Sequence, residues 1–348
     1  MNYEQFKEQF VKDLKDNLEA KGHNIESIDV IPNEKFNQGA YDSISVRLAE
    51  SKMGPSGNLT AMYESYTRID DYGMVLDHAT NLMDDALSKM PSYSVSQLTD
   101  YEFIKDKLVI EAVNAEKNAS LLVKVPHKSM EDIAIIYRAV LGKMDDGLAT
   151  VVITNEMLEQ MNVSKEQLHA DAMLSTQAIR PVEVKSLFET LAELMPDFDM
   201  GLPVGGPEDQ VMVGTVTEKV HGAGVIAYEN FLDDMAQKMG GDFYIIPCSI
   251  HEVLLVPETM AHDVEALKDM ILSVNSCEVA PEDILSDNLY HYDSKEKLFE
   301  ITDKFLERME EKNHEKESAV GKLKKNKDQV KETPRKEHKP KEKAEMAL

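Results

Sequence analysis

Two apolar runs, in FYIIP (243–247) and HEVLLVP (251–257), are separated by only three residues, CSI. Each is rich in β-branched and leucine side chains, long enough for a strand and too short for a stable helix. So short a link returns the second run antiparallel to the first, because a parallel return needs a crossover of a dozen residues or more. The arrangement recurs. MEDIAIIYRAVL (130–141) and LATVVITNEML (148–158) flank the Gly-Asp turn GKMDDG, and IESIDVIP (25–32) and YDSISVRLAE (41–50) alternate with period two around a polar turn. VMVGTVTE (211–218), GAGVIAY (222–228), NLYHYD (288–293) and KLFEI (297–301) complete the expected strands, and LLVKVP (121–126) is expected to open a sheet.

Between these runs the apolar period lengthens to that of a helix. Phe6, Phe10, Leu14 and Leu18 stand at four-residue steps, with Gly22 as the stop. Helical spacing returns over Leu59–Tyr66 and Val75–Leu87 and predicts a further helix over Asp100–Glu116. Other helices are expected from Ser164, through VKSLFETLAELM as far as Pro196, over ENFLDDMAQKM to its glycine stop, and over His262–Asn275. Helices interspersed with hairpins give an α+β class with a mainly antiparallel sheet. The expected organisation is an N-terminal subdomain of helix and hairpin over residues 1–118, an α+β domain over 119–302, and a helical extension running into a disordered charged tail over 303–348. PDFDMGLPVGGPEDQ (196–210) reads as a loop between substructures.

Charge is divided unevenly. Residues 304–348 carry 14 Lys and Arg against 10 Asp and Glu, leaving 24 against 54 in residues 1–303, a net charge of −30. Such a body repels nucleic-acid phosphates and anionic membrane surfaces, which bind through basic patches. The N-terminal stretch lacks the basic and apolar regions of a secretory signal, and no apolar run approaches the roughly 20 residues of a membrane span. Cys248 and Cys277, far apart and without a CxxC, suit a reducing compartment, where a lone thiol is usually a small buried hydrophobe. A cytoplasmic location is expected.

His251-Glu252 invites comparison with a zinc protease, but HExxH needs its second histidine at the position of Leu255. On a strand the pair would point to opposite faces. His221 lies in KVHGAG, where the glycines permit a close backbone approach, although GxG without a third glycine is not a dinucleotide fingerprint. His291 and Asp293 can share one strand face, whereas His169 and Asp171, two apart on a helix, do not face each other. The pairs Asp70-Asp71, Asp84-Asp85, Asp145-Asp146 and Asp233-Asp234 lack EF-hand spacing. No phosphate-binding loop, GxSxG elbow or kinase set is present. The catalytic candidates are therefore His251, Glu252 and His221, with no metal ligand set and no cofactor assigned.

Several stretches in order carry a resemblance: YEQFKEQF, the region from GPSGN to Tyr66, AIIYRAVL, ATVVITNEMLEQMNVSKEQLHADAMLST, GAGVIAYENFLDDMAQKMGGDFYIIPCSIHEVLLVP and VNSCEVAPEDILSDNLYHYD. Over roughly residues 1–300 the chain resembles a bacterial family known as domain of unknown function 5688. The stretch Ile153–Leu174 is also similar to a second uncharacterised bacterial family. The resemblance implies a cytosolic bacterial protein and assigns no reaction. Composition and motifs then favour a non-enzymatic protein that binds a protein partner or a ligand. The alternatives are a hydrolase or metal-dependent enzyme built on His221, His251, Glu252 and His291, and an acidic mimic of nucleic acid.

Overall fold

A computed structural model describes residues 1–49, 54–89, 95–144, 147–195 and 210–314. The chain divides into two compact units, Met1–Phe299 and Glu300–Leu348. The fold is α+β, with three mainly antiparallel sheets.

Helix α1 (Tyr3–Ala20) begins in a capping box of Asn2 and Gln5 and buries Phe6, Phe10, Leu14 and Leu18 completely. Burying side chains of this size contributes roughly 1.5–3 kcal/mol each. They pack with Ile44, Val46, Leu59, Ala79 and Met83 in one core. That core joins α1 to the sheet of β1 (Ile25–Lys35), β2 (Gly39–Leu48) and β3 (Ser56–Asn58), and to helices α2 (Leu59–Ile69) and α3 (Tyr72–Lys89). The expected hairpin over 25–50 is present, with Asn37 at its tip in the left-handed conformation (φ 63°).

The helix expected over Asp100–Glu116 is not formed. Short helices α4 (Val95–Leu98) and α5 (Tyr101–Ile104) and a 3₁₀ turn give way to strand β4 (Leu108–Asn114). The first six residues of LVIEAVN are buried, so the run is apolar on both faces as a central strand is, and helical periodicity cannot distinguish the two. Helix α6 (Ala119–Leu122) occupies the start of LLVKVP, and β5 begins only at His127 (His127–Met130). β6 (Ile133–Met144) pairs with β4 along one edge; along the other it pairs with β5 and then with β7 (Gly147–Val152). Asp145-Asp146 lies outside the described residues. After α7 (Asn155–Met161), α8 (Lys165–Ile179) starts from its Ser164 cap as expected and covers the outer edge of β4. There Thr176 Oγ1 accepts the Ile110 N–H (3.1 Å), and the Ser175 hydroxyl donates to the Leu108 carbonyl (2.6 Å).

In the third sheet β12 (Tyr290–Asp293), β10 (Phe243–Pro247), β11 (Val253–Pro257), β9 (Met212–Val216) and β8 (Val182–Ser186) lie side by side in that order. β13 (Leu298–Ile301), next to β12, carries the chain from the first unit into the second. The start of VKSLFETLAELM is strand β8, and Ser186 caps the shorter helix α9 (Leu187–Leu194). GAGVIAY is not a strand: Gly222–Ala227 form a buried 3₁₀ turn, entered through His221 at φ 52°, which extended backbone cannot continue. Helix α10 (Phe231–Met239) closes on Gly240 (φ 82°), and α11 (Val264–Cys277) starts from its Asp263 cap. Cys277 is exposed, which corrects the expectation of two buried thiols. In the second unit residues 302–314 are helical, and Arg308 pairs with Glu300. The expected loop over 196–209 and charged tail over 315–348 lie outside the described residues. Among the described residues no helix is long and apolar enough to cross a membrane.

Candidate functional site: two arginines on a buried glutamate beside a histidine turn

Strand β4 carries one charge in its buried run, Glu111, and the following stretch of β6 carries Arg138. Pairing sets Glu111 opposite Ile136, so Arg138, two residues along β6, projects from the same face. Thr150 on β7 is on that face too and accepts a hydrogen bond from Arg138 Nε (2.8 Å). Arg180, where α8 ends, reaches in from the side. One carboxylate thus meets two guanidiniums: Glu111 lies 3.5 Å from Arg138 Nη1 and 3.9 Å from Arg180 Nη1.

Burial makes this arrangement consequential. The side chains of Glu111 and Arg180 are 6% and 5% exposed. Charged residues are almost never so buried unless they are paired, and a buried donor without an acceptor costs about 1–3 kcal/mol, more when it is charged. Yet Arg180 Nε and Nη1 have no hydrogen-bond acceptor among the described residues. Arg180 also helps to wall a cavity of about 230 Å³, together with Glu111, Arg138, Thr150 and His221, with exposed Lys35 and Glu218 at its rim. The two rim charges cancel, so the interior has one positive charge more than Glu111 neutralises.

His221 closes one side. Its backbone N–H donates to Nδ1 of His251 (3.1 Å), and the two rings lie 5.7 Å apart. His251 Nε2 faces Asp283 Oδ1 at 3.3 Å. Since Nδ1 accepts, a neutral His251 holds its proton on Nε2, directed at Asp283. Both ring nitrogens are then committed, and His251 positions the turn. The His221 ring remains; its Nδ1 is buried with no hydrogen-bond partner among the described residues. Burial holds the His221 pKa below the usual histidine value, with Arg180, His251 and Arg138 pushing the same way and Glu111 opposing. The ring is therefore neutral. Gly222 lets this turn approach the sheet: a Cβ there would lie 2.1 Å from Thr215 Oγ1 and 2.5 Å from the His251 carbonyl oxygen.

Of the sequence candidates, His221 and His251 meet. Glu252, the next residue, lines a separate small recess with Lys185, Thr215 and Lys219. His291 lies opposite Tyr244, towards the other end of β10. His169 contacts the Tyr137 hydroxyl (3.0 Å), and Asp171 accepts from Tyr101 (2.6 Å). Burial first, and the Glu252 charge second, push the Cys248 thiol up to about 12, so it is no nucleophile at neutral pH. A wider depression of about 710 Å³ beside Tyr101 and Asp171 is lined by polar groups that pair with one another. Glu111, Arg138 and Arg180 had escaped the sequence reading. For Glu111 and Arg138 the signal was there, as single charges inside the otherwise apolar LVIEAVN and AIIYRAVL; Arg180, at the end of a helix before Pro181, carried none.

Residues 3–294 match the profile of a family of unknown function, DUF5688. The chain belongs to that family. Every residue of the arginine–histidine site falls inside the span matched to DUF5688. No curated protein and no solved structure matches the chain.

Proposed function

We propose that the protein binds a small anion, a carboxylate or a phosphate, in the cavity of Arg138, Arg180 and His221, as a cytoplasmic binding protein without turnover of its own. One observation carries this reading: Arg180 is buried against a cavity with Nε and Nη1 lacking protein acceptors. A guanidinium offers a planar fork suited to two oxygens of one anion. The volume, about 230 Å³, is below the usual range of drug-sized ligand pockets and suits a molecule of a few heavy atoms. The unpaired cysteines accord with a reducing cytoplasm.

Calorimetric titration with inorganic phosphate, acetate and a short dicarboxylate tests the proposal. Arg180→Met removes the charge and keeps most of the packing, and Arg138 remains to pair with the buried Glu111, whose carboxylate would otherwise be left uncompensated. Saturable binding of at least one anion to the wild-type chain is expected, weakened tenfold or more in Arg180→Met. Binding of none of them, or equal binding by the variant, contradicts it. A hydrolytic reading has one observation in its favour, the His221 imidazole in the wall of the same cavity with its pKa lowered by burial, as a base requires. It requires turnover that His221→Asn abolishes while anion binding persists.

A further inference from the structure

The other end of the same hairpin gathers a second set of polar groups. Asp242 precedes β10 and Glu258 follows β11, and the Glu258 N–H donates to the Asp242 carbonyl (3.0 Å). Across β10 the register pairs Tyr244 with both Val256 and His291. Paired residues share a face and alternate residues return to it, so Asp242, Glu258 and His291 project together from one end of the sheet. A ligand atom from each lies within 4.8 Å of the others. Metal bonds of about 2.0–2.2 Å place ligand atoms about 3–4 Å apart, so side-chain shifts of about 1 Å or less close the triad around an ion.

We propose that Asp242, Glu258 and His291 form a binding site for a divalent transition-metal cation. One imidazole and two carboxylates suit zinc or manganese better than calcium or magnesium, which take oxygen ligands. The imidazole is built in: His291 is 0% exposed, and its ring lies edge-on to Tyr244 at 5.0 Å. The supporting shell is present as well. Asp242 Oδ1 accepts from the Ser294 N–H (3.0 Å) and hydroxyl (2.5 Å), which fixes the carboxylate and leaves Oδ2 for an ion. Asp293 Oδ1 accepts the Lys295 and Glu296 N–H groups (3.0 Å each), which shapes the turn that follows the site. A cation between the Asp242 and Glu258 carboxylates would offset their mutual repulsion. Three protein ligands leave a coordination position open to water or substrate. The site is independent of the anion cavity, because the five residues of β10 separate the two by roughly 15 Å at about 3.3 Å per residue.

The test uses the full chain, stripped with a chelator and titrated with Zn²⁺ and with Mn²⁺ by calorimetry. Salt of about 0.3 M screens unspecific attraction to the acidic surface. One saturable site per chain is expected, with a rise in Tm on loading. Glu258→Gln, at an exposed position, leaves the far-ultraviolet circular dichroism unchanged and weakens binding at least tenfold. Asp242→Asn weakens it likewise and serves as the second variant should the first not fold. Cobalt substitution gives visible absorption bands typical of a nitrogen-ligated site of low coordination number. The proposal is overturned if the wild-type chain takes up neither metal stoichiometrically, or if folded variants titrate as the wild type does.

Discussion

At the scale of single residues, the candidate site depends on what a buried position tolerates. Gly222 is fixed by close approach, since an added Cβ meets the Thr215 hydroxyl and a backbone carbonyl that cannot swing aside. Gly222→Ala is expected to destabilise by about 1–3 kcal/mol, the usual cost of overpacking, read from urea unfolding midpoints. It should also weaken anion binding, because the carbonyl it meets belongs to His251. His221 makes the stability depend on pH. Its folded pKa lies below the unfolded value of about 6.5, so between the two values the unfolded chain binds more protons. Stability from this residue is therefore complete above about pH 6.5 and falls on acidification towards the folded pKa, by at most about 1.4 kcal/mol per pH unit. His169, whose pKa is lowered by burial and by Lys128, acts in the same direction. His221→Asn, which tolerates the left-handed backbone, should lose less stability than the wild type between about pH 7.5 and pH 5.5. Equal losses in the two proteins would remove His221 from the account.

Among the elements, those with a repeating pattern and a chemical stop were legible. α1 announced itself by four aromatic or leucine side chains at steps of four, all of which are fully buried. Phe10→Ala should cost about 3–5 kcal/mol in chemical denaturation, as expected for a phenylalanine lost from a packed core. The hairpins of β1–β2, β6–β7 and β10–β11 followed from short turns between strand-like runs. Two segments did not follow the local pattern. LVIEAVN is a strand because α8 satisfies its outer edge from 66 residues away, and no window around Glu111 contains that partner. GAGVIAY is a buried turn because His221 takes a positive φ and Gly222 fits where no Cβ can, constraints that arise from β9 and the His251 loop. The site shares this character. The His221–His251 meeting spans 30 residues, and Arg180 reaches Glu111 from a helix far along the chain, so residue types were readable and their convergence was not.

For the molecule as a whole, the contrast lies between its net charge and its interior. Residues 1–303 carry a net charge of −30, a field that excludes anions from most of the surface. Within that body, two guanidiniums face a single buried carboxylate across a small cavity. A folded chain retains such a cluster at a desolvation cost of several kcal/mol unless something further is bound to it. Titration of the full-length protein with inorganic phosphate and acetate, following the Arg180 Nε–H resonance by nuclear magnetic resonance, probes the claim at the atom that carries it. A saturable shift of that resonance, with the Arg138 signal moving in parallel and surface arginines still, is the expected result. An Arg180 Nε–H that stays fixed at saturating concentrations of both anions would contradict the account.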